Sequence, residues 1–332
     1  MSMRKVLVGG GSGFVGGAFV RELRNRGFHP VIITRSRKQS EQDVIDWNAL
    51  KQHGFPKDTF AVVNLAGKNI AEPLSRWTED FKREVFDSRI KTTRFLANLV
   101  KDSPVETRPK VFVCTSAIGF YPPSNSIDYD ENSKGGGDSN LFTRLCSEWE
   151  AAGRLPEDLN VRKVTVRLGL VLGRTGGIVG NSFWPFYFGL GGPMGSGQQW
   201  FPWIHVKDCA GILAHAVECE KADGVLNATA PEIITNKQFA AAFGKALGRP
   251  ACLSMPEFIV RRMFGEERAE LFLKGQKVHP KRTLESGYKF SYPTIDQAAA
   301  EFARVNLTES EQSRRQSVTP SSWSQKSDAH YN

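Results

Sequence analysis

A glycine cluster near the start of the chain has the spacing of a phosphate-binding loop. Gly10, Gly13 and Gly16 follow a strand-forming segment (5–8), and a helical pattern (18–26) comes directly after them. Glycines at this spacing let the backbone turn with positive φ, approach a pyrophosphate closely and pack a helix on a strand. The N–H groups and positive dipole end of such a helix face the phosphates. A strand, this loop and a helix in that order predict a dinucleotide-binding fold.

The second predicted strand (31–34) ends in a basic segment, and this bears on the type of dinucleotide. A carboxylate at that point would bind the ribose hydroxyls of NAD and repel a 2′-phosphate. This chain instead has Arg35 directly after Thr34, and no acidic residue follows before Glu41. Because a guanidinium pairs with phosphate through two hydrogen bonds and stacks on adenine, Arg35 favours NADP. A basic loop exposed to solvent is the alternative.

Two further predicted strands end in residues that suit a cofactor cleft. The apolar segment 60–67 ends in Leu65, Ala66 and a glycine, whose low bulk leaves room for a ligand, and the segment 109–117 ends in hydroxyl residues that include Ser116. In a doubly wound sheet, ligand contacts gather at the carboxyl ends of the strands. A serine there can hydrogen-bond a substrate carbonyl or alcohol, although a serine that caps a turn is a common alternative.

The remaining patterns predict the elements that position these residues. We expect helices over 77–101 and 140–154, an irregular crossover over 43–55, an exposed loop over 124–139 and one apolar strand over 161–171. Two glycine-rich segments, 175–177 and 189–197, predict a flap on the substrate side. Strands that alternate with helices predict an α/β protein with a Rossmann-type doubly wound parallel sheet and a smaller C-terminal substrate lobe.

This pattern also predicts how the chain is divided. We expect an NADP-binding core over 1–175, with its sheet completed by 204–230, and a substrate lobe built from 176–203 and 231–297. Residues 305–332 are rich in Ser, Glu, Gln and Arg and contain few apolar residues. Such a segment cannot bury enough surface to fold, so we expect a disordered tail.

The composition of the chain limits its expected binding partners and its expected cellular compartment. The net charge is +9, but Lys and Arg are spread along the 332 residues, so we expect no nucleic-acid partner. No apolar run reaches the length of a membrane span, and the chain enters its first strand without a signal peptide, so we expect no membrane contact. The five cysteines are scattered and lack metal-ligand spacing, which favours a reducing, intracellular compartment and no metal. We expect a cytoplasmic location by default, and an organellar location stays an alternative. A homodimer is also left open by the sequence.

Several short motifs together resemble one known superfamily. They are Val8 to Gly16, Asn64-Leu65-Ala66-Gly67-x-Asn69-Ile70, Ser116-Ala117-Ile118-Gly119-Phe120-Tyr121, Trp203-Ile204-His205-Val206-x-Asp208 and Gly275-Gln276-Lys277-Val278-x-Pro280-Lys281-Arg282. In these motifs the chain resembles the extended short-chain dehydrogenase/reductases, and more narrowly the epimerase-family proteins of their atypical branch, which are described as nucleoside-diphosphate-sugar epimerases. The resemblance covers about residues 4–297, including a small C-terminal domain.

The resemblance implies that the first domain binds NADP. Carried over residue by residue, it implies the following cofactor-binding positions: Gly10, Gly13, Phe14, Val15, Gly16, Thr34, Arg35, Leu65, Ala66, Glu84, Arg89 and Val171. By position alone, Glu84 and Arg89 are ordinary charges of a solvated helix, so their assignment rests on the resemblance.

The catalytic positions depart from the superfamily pattern. Active members carry a Tyr-x-x-x-Lys helix, in which the lysine lowers the tyrosine pKa so that the phenol exchanges a proton with the substrate. Here the two positions fall on Phe142 and Cys146, and neither side chain can do this work. Ser116 matches the catalytic hydroxyl, and Tyr121 is the nearest phenol in sequence. Our hypothesis is that Ser116 orients the substrate and Tyr121 exchanges the proton; Tyr121 as a packing residue is the alternative.

His205 and Asp208 invite interpretation as a catalytic pair, because histidine titrates near neutral pH. In extended relatives the matching segment lies where the chain enters the helix after the flap. We therefore expect a structural or substrate-lobe role for His205 and a first-turn position for Asp208.

Two classes of function remain open from the sequence. The first is an NADP-dependent oxidoreductase or epimerase that acts on a small carbonyl or sugar-like substrate. The second is an NADP(H)-binding sensor or scaffold without turnover, which Phe142 and Cys146 favour.

Overall fold

The computed structural model describes residues 4–35, 43–70 and 77–304. Within these ranges the strands are β1 (Lys5–Gly9), β2 (His29–Thr34), β3 (Val44–Asp46), β4 (Thr59–Asn64), β5 (Val111–Ala117), β6 (Asp128–Tyr129), β7 (Arg162–Leu168), β8 (Leu170–Gly173), β9 (Trp203–His205), β10 (Gly224–Ala228) and β11 (Lys277–Val278). The predicted tail (305–332) and the part of the basic segment beyond Arg35 lie outside the described residues.

Helices alternate with these strands through most of the chain. They are α1 (Phe14–Asn25), α2 (Trp47–His53), α3 (Glu79–Asp102), α4 (Leu141–Ala152), α5 (Gly177–Tyr187), α6 (Val206–Glu218), α7 (Asn236–Leu247), α8 (Glu257–Phe264), α9 (Glu266–Leu273), α10 (Lys281–Glu285) and α11 (Ile295–Phe302), with short 3-10 helices at Ile118–Phe120 and Glu157–Leu159. Side-chain caps begin the two helices beside the site: Thr78 accepts from Phe81 N at α3, and Asn140 accepts from Thr143 N at α4.

The described residues form a seven-stranded parallel sheet in the order β10-β7-β5-β4-β1-β2-β3. The chain runs outward from β1 to β3 on one side, and through β4, β5, β7 and β10 on the other. This is a doubly wound arrangement, so the predicted Rossmann-type α/β fold is confirmed. Its ligand edge is the carboxyl end of the central strands, where β1 and β4 end side by side at Gly9 and Asn64, and β5 extends three residues further, to Ala117.

The central strands are apolar on both faces, as expected for a sheet covered by helices. Val6 and Val8 belong to a core with α1 and α6, whereas Leu7 points to the opposite core, which includes Leu50 of α2 and Leu96 of α3. A separate apolar cluster holds the second part of the molecule together. Its largest members are Phe183, Phe186, Phe201, Trp203, Phe239, Phe243 and Phe302.

Three local predictions are corrected by the structure. The crossover 43–55 is not irregular, because it contains strand β3 and helix α2. The loop 124–139 is not merely exposed: β6 pairs with β11, and the buried Glu131 carboxylate accepts hydrogen bonds from the backbone N–H groups of Asn227 and Arg282. These contacts link residues more than 90 positions apart in the chain, which local patterns do not encode.

The predicted single strand 161–171 is also divided in two. β7 belongs to the large sheet, but β8 pairs with β9 in a separate two-stranded sheet. The break falls at Gly169, where a Cβ atom would lie 2.6 Å from the Pro202 carbonyl oxygen. The two glycine-rich segments, 175–177 and 189–197, lie at the start of helix α5 and after its end. Val179 and Phe183 of this helix are buried in the second core.

Candidate functional site

The glycine loop lies between β1 and α1 and has no room for side chains at two of its positions. Gly10 has φ +75°, and a Cβ atom there would lie 2.7 Å from the Leu65 carbonyl. At Gly16 a Cβ atom would lie 2.1 Å from the Gly10 carbonyl oxygen. The loop closes through a 3.1 Å hydrogen bond from Gly13 N to Gly10 O. Because Gly13 caps α1 without a side chain, the first N–H groups of the helix suit an anionic group.

The end of β4 packs directly against this loop. Leu65 N donates to Gly9 O at 2.8 Å, which fixes the level at which the two strands end. The Asn64 side chain then holds the turn, since its Oδ1 accepts from Ala66 N at 3.1 Å and its Nδ2 donates to Thr93 at 2.8 Å. Leu65 and Ala66 are thus placed beside the glycine loop. Asn64 was missed as a site residue, although a polar residue at the end of an apolar strand was a usable signal.

Thr34 and Arg35 lie at the same edge, beside the loop. β2 is paired with β1 so that Ile33 stands opposite Gly9, which puts Thr34 one residue beyond, with the exposed Arg35 after it. The structure also brings an acidic residue there: Asp46 of β3 stands opposite Thr34. Its carboxylate accepts from Ala49 N at 2.8 Å and caps α2. The sequence did not reveal this neighbour, because the absence of an acidic residue between Arg35 and Glu41 does not show which residue the adjacent strand brings there.

Three apolar positions implied by the resemblance come together at the rim of one core. Val15, Leu65 and Val171 all pack against the apolar cluster between the sheet and α6. Phe14 lies against the turn that follows β8, since a Cβ atom at Gly176 would lie 2.6 Å from its ring. The fold therefore packs residues from α1, from the segment after β4 and from β8 against the same core.

Glu84 and Arg89 of α3 flank the segment that follows Ala66. The Arg89 guanidinium donates to the backbone carbonyls of Lys68 (2.9 Å) and Val85 (3.1 Å) and lies 5.2 Å from the Trp149 ring. Burial lowers its pKa to about 10. Glu84 is more exposed and pairs with Lys68 at 3.2 Å. Both side chains thus stand at the ligand edge rather than on a remote helix face.

Ser116 occupies the end of β5 and is fully buried. Its Oγ has no hydrogen-bond partner of good geometry among the described residues, although the Cys146 thiol lies close enough to interact with it. Phe142 and Cys146 project from one face of α4 toward the same place, because a Cβ atom at Gly119 would lie 3.5 Å from Phe142 Cβ and from Cys146 Sγ. Burial raises the pKa of the Cys146 thiol to about 12. Of the two departures from the superfamily pattern, Cys146 therefore stands beside the matching serine, and Phe142 stands beside Gly119, three residues further along the chain.

Tyr121 is fully buried, and its phenol is held by other protein groups. The hydroxyl lies 2.9 Å from Asp130 O and from Asn227 Oδ1, and it accepts from Arg167 Nη1 at 2.8 Å. Arg167 in turn forms two hydrogen bonds of 2.8 and 2.9 Å with the Glu150 carboxylate. Burial raises the pKa of Tyr121. This geometry favours the packing alternative for Tyr121, and its buried network was missed because it joins segments far apart in sequence.

His205 and Asp208 are engaged in separate structural contacts. His205 caps α6 by accepting from Lys207 N at 3.1 Å, and its Nε2 lies 3.2 Å from the Glu301 carboxylate. Asp208 in the first turn of α6 accepts from Ser291 N and Tyr292 N at 2.7 and 2.8 Å. These contacts fit the structural role expected for the pair.

Residues 4–35, 43–70 and 77–304 contain neither a cluster of metal-ligating side chains nor a helix suited to crossing a membrane. Within these ranges no group of three or more His, Cys, Asp or Glu side chains is arranged to hold a metal ion. Within the same ranges no helix has the length and apolarity that a membrane crossing requires.

Comparisons with known proteins match almost the whole described chain. Residues 6–228 match the NAD dependent epimerase/dehydratase family, and residues 255–302 match a domain of unknown function, DUF1731. The chain is 47% identical to the epimerase family protein SDR39U1 of Bos taurus over 90% of its own length and 99% of that protein. It is 35% identical to the Arabidopsis thaliana homologue, whose name places that protein in the chloroplast, over 90% and 86% of the two lengths.

A solved structure gives the same result at the level of the fold. The crystal structure of human SDR39U1 (isoform 2) with NADPH superposes with a TM-score of 0.86 at 47% identity, covering 90% of this chain and 99% of that one. Family match and relatives agree over both parts of the molecule. The chain therefore belongs to the NAD dependent epimerase/dehydratase family, in its SDR39U1-like branch with a C-terminal DUF1731 domain.

Proposed function

We propose that the chain binds NADP(H) along the carboxyl edge of its sheet and acts as an oxidoreductase on a small carbonyl substrate. The observation that carries this proposal is the glycine loop, where Gly10 has φ +75° and Cβ atoms at Gly10 and Gly16 would collide with backbone atoms of Leu65 and of the loop itself, so that only glycines allow the tight turn that suits a pyrophosphate. The relative crystallised with NADPH supports the choice of cofactor.

Each part of the cofactor would meet a different group of residues. The first N–H groups of α1 would hold the pyrophosphate, and Arg35 would pair with the 2′-phosphate. Leu65 and Ala66 would line the path across the sheet, with Glu84 and Arg89 beside it. Val15 and Val171 would pack against the nicotinamide half. When bound, the cofactor supplies or accepts a hydride, and the protein provides orientation and electrostatics.

Ser116 is the residue that we assign to the substrate. It ends β5 at the ligand edge, and its hydroxyl makes no hydrogen bond of good geometry with the described residues. Buried hydroxyls are usually paired, so an unsatisfied one at the carboxyl end of a strand in this sheet is a candidate for ligand contact. We therefore propose that Ser116 hydrogen-bonds the substrate carbonyl.

The second candidate function is an NADP(H) sensor or scaffold without turnover, which Phe142 and Cys146 favour. An assay of NADPH consumption distinguishes the oxidoreductase from the sensor or scaffold. The protein is mixed with a panel of aldehydes, ketones and conjugated carbonyl compounds, and Ser116→Ala is the matched variant. Consumption that requires a carbonyl compound and falls in Ser116→Ala supports the oxidoreductase. Tight NADPH binding without consumption on any compound would contradict it and favour the sensor.

A further inference from the structure

The face of α4 nearest to Ser116 carries an aromatic ring and a thiol where the superfamily pattern has a tyrosine and a lysine. Phe142 and Cys146 stand one helical turn apart, and both lie next to Gly119 in the 3-10 helix that follows β5. Phe142 is half-buried, and its ring centroid is 6.3 Å from that of Trp77. An aromatic surface thus occupies the place where the superfamily pattern has a phenol that moves a proton.

The described groups around Ser116 offer poor proton donors at neutral pH. Burial raises the pKa of the Cys146 thiol to about 12, and Arg89, which interacts with that thiol, keeps a pKa of about 10 after burial has lowered it. The Tyr121 phenol is held by Arg167 and by two acceptors on other segments. A reduction that must protonate a strongly basic alkoxide is therefore poorly served by this part of the chain.

Some carbonyl acceptors do not require an acid from the enzyme. When a quinone takes up a hydride, the product is a phenolate-like anion spread over a ring, and phenols have a pKa of about 10. Such an anion is weakly basic, so it can take its proton from water after the hydride transfer. The nearby positive charge of Arg89 also favours an anion at this point.

The walls of this place fit a flat ring. Trp77 packs on the buried Phe81 with ring centroids 5.3 Å apart and on the half-buried Phe142 at 6.3 Å, so Trp77 and Phe142 present two adjacent aromatic surfaces that are backed by Phe81. One hydrogen bond joins this aromatic group to the C-terminal part of the chain, because the Trp77 indole N–H donates to Glu267 of α9 at 3.0 Å. Aromatic surfaces of this kind stack on planar conjugated ligands.

We infer that the acceptor reduced at this site is a quinone, or a similarly conjugated dicarbonyl compound, rather than a simple ketone or a sugar alcohol. This inference rests on the proposed oxidoreductase function. The quinone oxygen takes a hydride with its electron pair from the reduced nicotinamide, which is oxidised to NADP⁺. The resulting hydroquinone monoanion then takes one proton from water. Phe142 and Trp77 hold the ring, and Ser116 hydrogen-bonds a carbonyl oxygen.

The test compares two ring compounds of the same size. Wild-type protein and NADPH are mixed with naphthoquinone or with tetralone, and NADPH consumption is corrected for the reaction without protein. We expect consumption with naphthoquinone to exceed that with tetralone by about 100-fold, the contribution of a positioned acid that tetralone needs and this site lacks. The double variant Phe142→Tyr/Cys146→Lys should gain tetralone reduction.

A binding measurement gives a second readout that does not depend on turnover. Calorimetry with dihydroxynaphthalene in the presence of NADP⁺ should show about fivefold weaker binding in Phe142→Ala, the loss expected for one aromatic stacking contact. Phe258→Ala, which removes an exposed ring from α8, is the control and should bind normally.

The outcomes separate this inference from the proposed function. If NADPH binds but naphthoquinone is not consumed above the blank, or tetralone is reduced equally fast, the quinone assignment is wrong while cofactor binding stands. If NADPH itself does not bind, the proposed function fails first. Unchanged binding of dihydroxynaphthalene in Phe142→Ala would overturn the stacking role assigned to that ring.

Discussion

Two hydroxyl groups, close in sequence, have opposite surroundings at the site. The Ser116 Oγ makes no hydrogen bond of good geometry with the described residues, whereas the Tyr121 hydroxyl has three polar partners. Both residues were catalytic candidates from the sequence. Their position after β5 could be predicted, but their partners could not, because Arg167 and Asn227 reach Tyr121 from strands 46 and 106 residues away.

Replacing the two hydroxyls should therefore give opposite results. In Ser116→Ala we expect lower NADPH-dependent turnover and a free energy of unfolding within about 1 kcal/mol of wild type, because no hydrogen bond is lost. In Tyr121→Phe we expect a loss of about 1–3 kcal/mol in the free energy of unfolding, since Arg167 and Asn227 lose a buried partner. Urea denaturation and turnover assays measure both effects. A Tyr121→Phe protein of normal stability without turnover would restore Tyr121 as the proton donor.

At the scale of elements, the glycine loop was predicted well because its information is local. A strand, three glycines and a helix follow one another within 21 residues, from Lys5 to Asn25. The end of β7 was predicted poorly, because the break at Gly169 depends on Pro202, which belongs to a distant segment. Asp46 near Arg35 was missed for the same reason: β3 delivers it by pairing with β2.

Two neighbouring glycines of α1 test the loop geometry. Gly16→Ala would place a Cβ atom 2.1 Å from the Gly10 carbonyl oxygen, so we expect a loss of about 2 kcal/mol in the free energy of unfolding and much weaker NADPH binding. Gly17→Ala is the control, since the nearest atom that its Cβ would meet outside the backbone of α1 is Arg21 Nη1, at 3.7 Å. There the gain in helix propensity should stabilise the protein by up to about 1 kcal/mol. Equal behaviour of the two variants would contradict the close approach at Gly16.

At the scale of the whole molecule, α6 connects the sheet to the C-terminal helices. His205 at its start stacks on Tyr292 with ring centroids 3.9 Å apart and contacts Glu301 of α11, which Lys207 also pairs with at 3.0 Å. Burial opposes ionisation of Glu301, but the hydrogen bonds from His205 and Lys207 lower its pKa to about 2. The sequence suggested a structural His205, yet its partner α11 could not be predicted from local patterns.

This ion pair predicts a pH dependence of stability. Because the pKa of Glu301 is lower in the folded protein than in the unfolded chain, its contribution is present above about pH 4.5 and is lost as the pH falls toward 2. Glu301→Gln should lower the free energy of unfolding at pH 7 by about 1 kcal/mol, since the group is partly screened by solvent. The difference from wild type should shrink during acid titration. Glu220→Gln, at an exposed position, is the control. A difference between Glu301→Gln and wild type that stays constant at every pH would contradict the assignment.

If NADP(H) binds at the ligand edge of this sheet with Arg35 on its 2′-phosphate, a titration with the two reduced nicotinamide dinucleotides must distinguish them. Calorimetry should show tighter binding of NADPH than of NADH by at least about tenfold, the equivalent of one charge-assisted contact worth about 1.5 kcal/mol. Arg35→Ser should lose this preference, and the exposed Arg154→Ser should retain it. No binding of NADPH would contradict the proposed cofactor site. Equal affinity for the two nucleotides in the wild-type protein would contradict the role of Arg35 and leave Asp46 as the residue that sets cofactor choice.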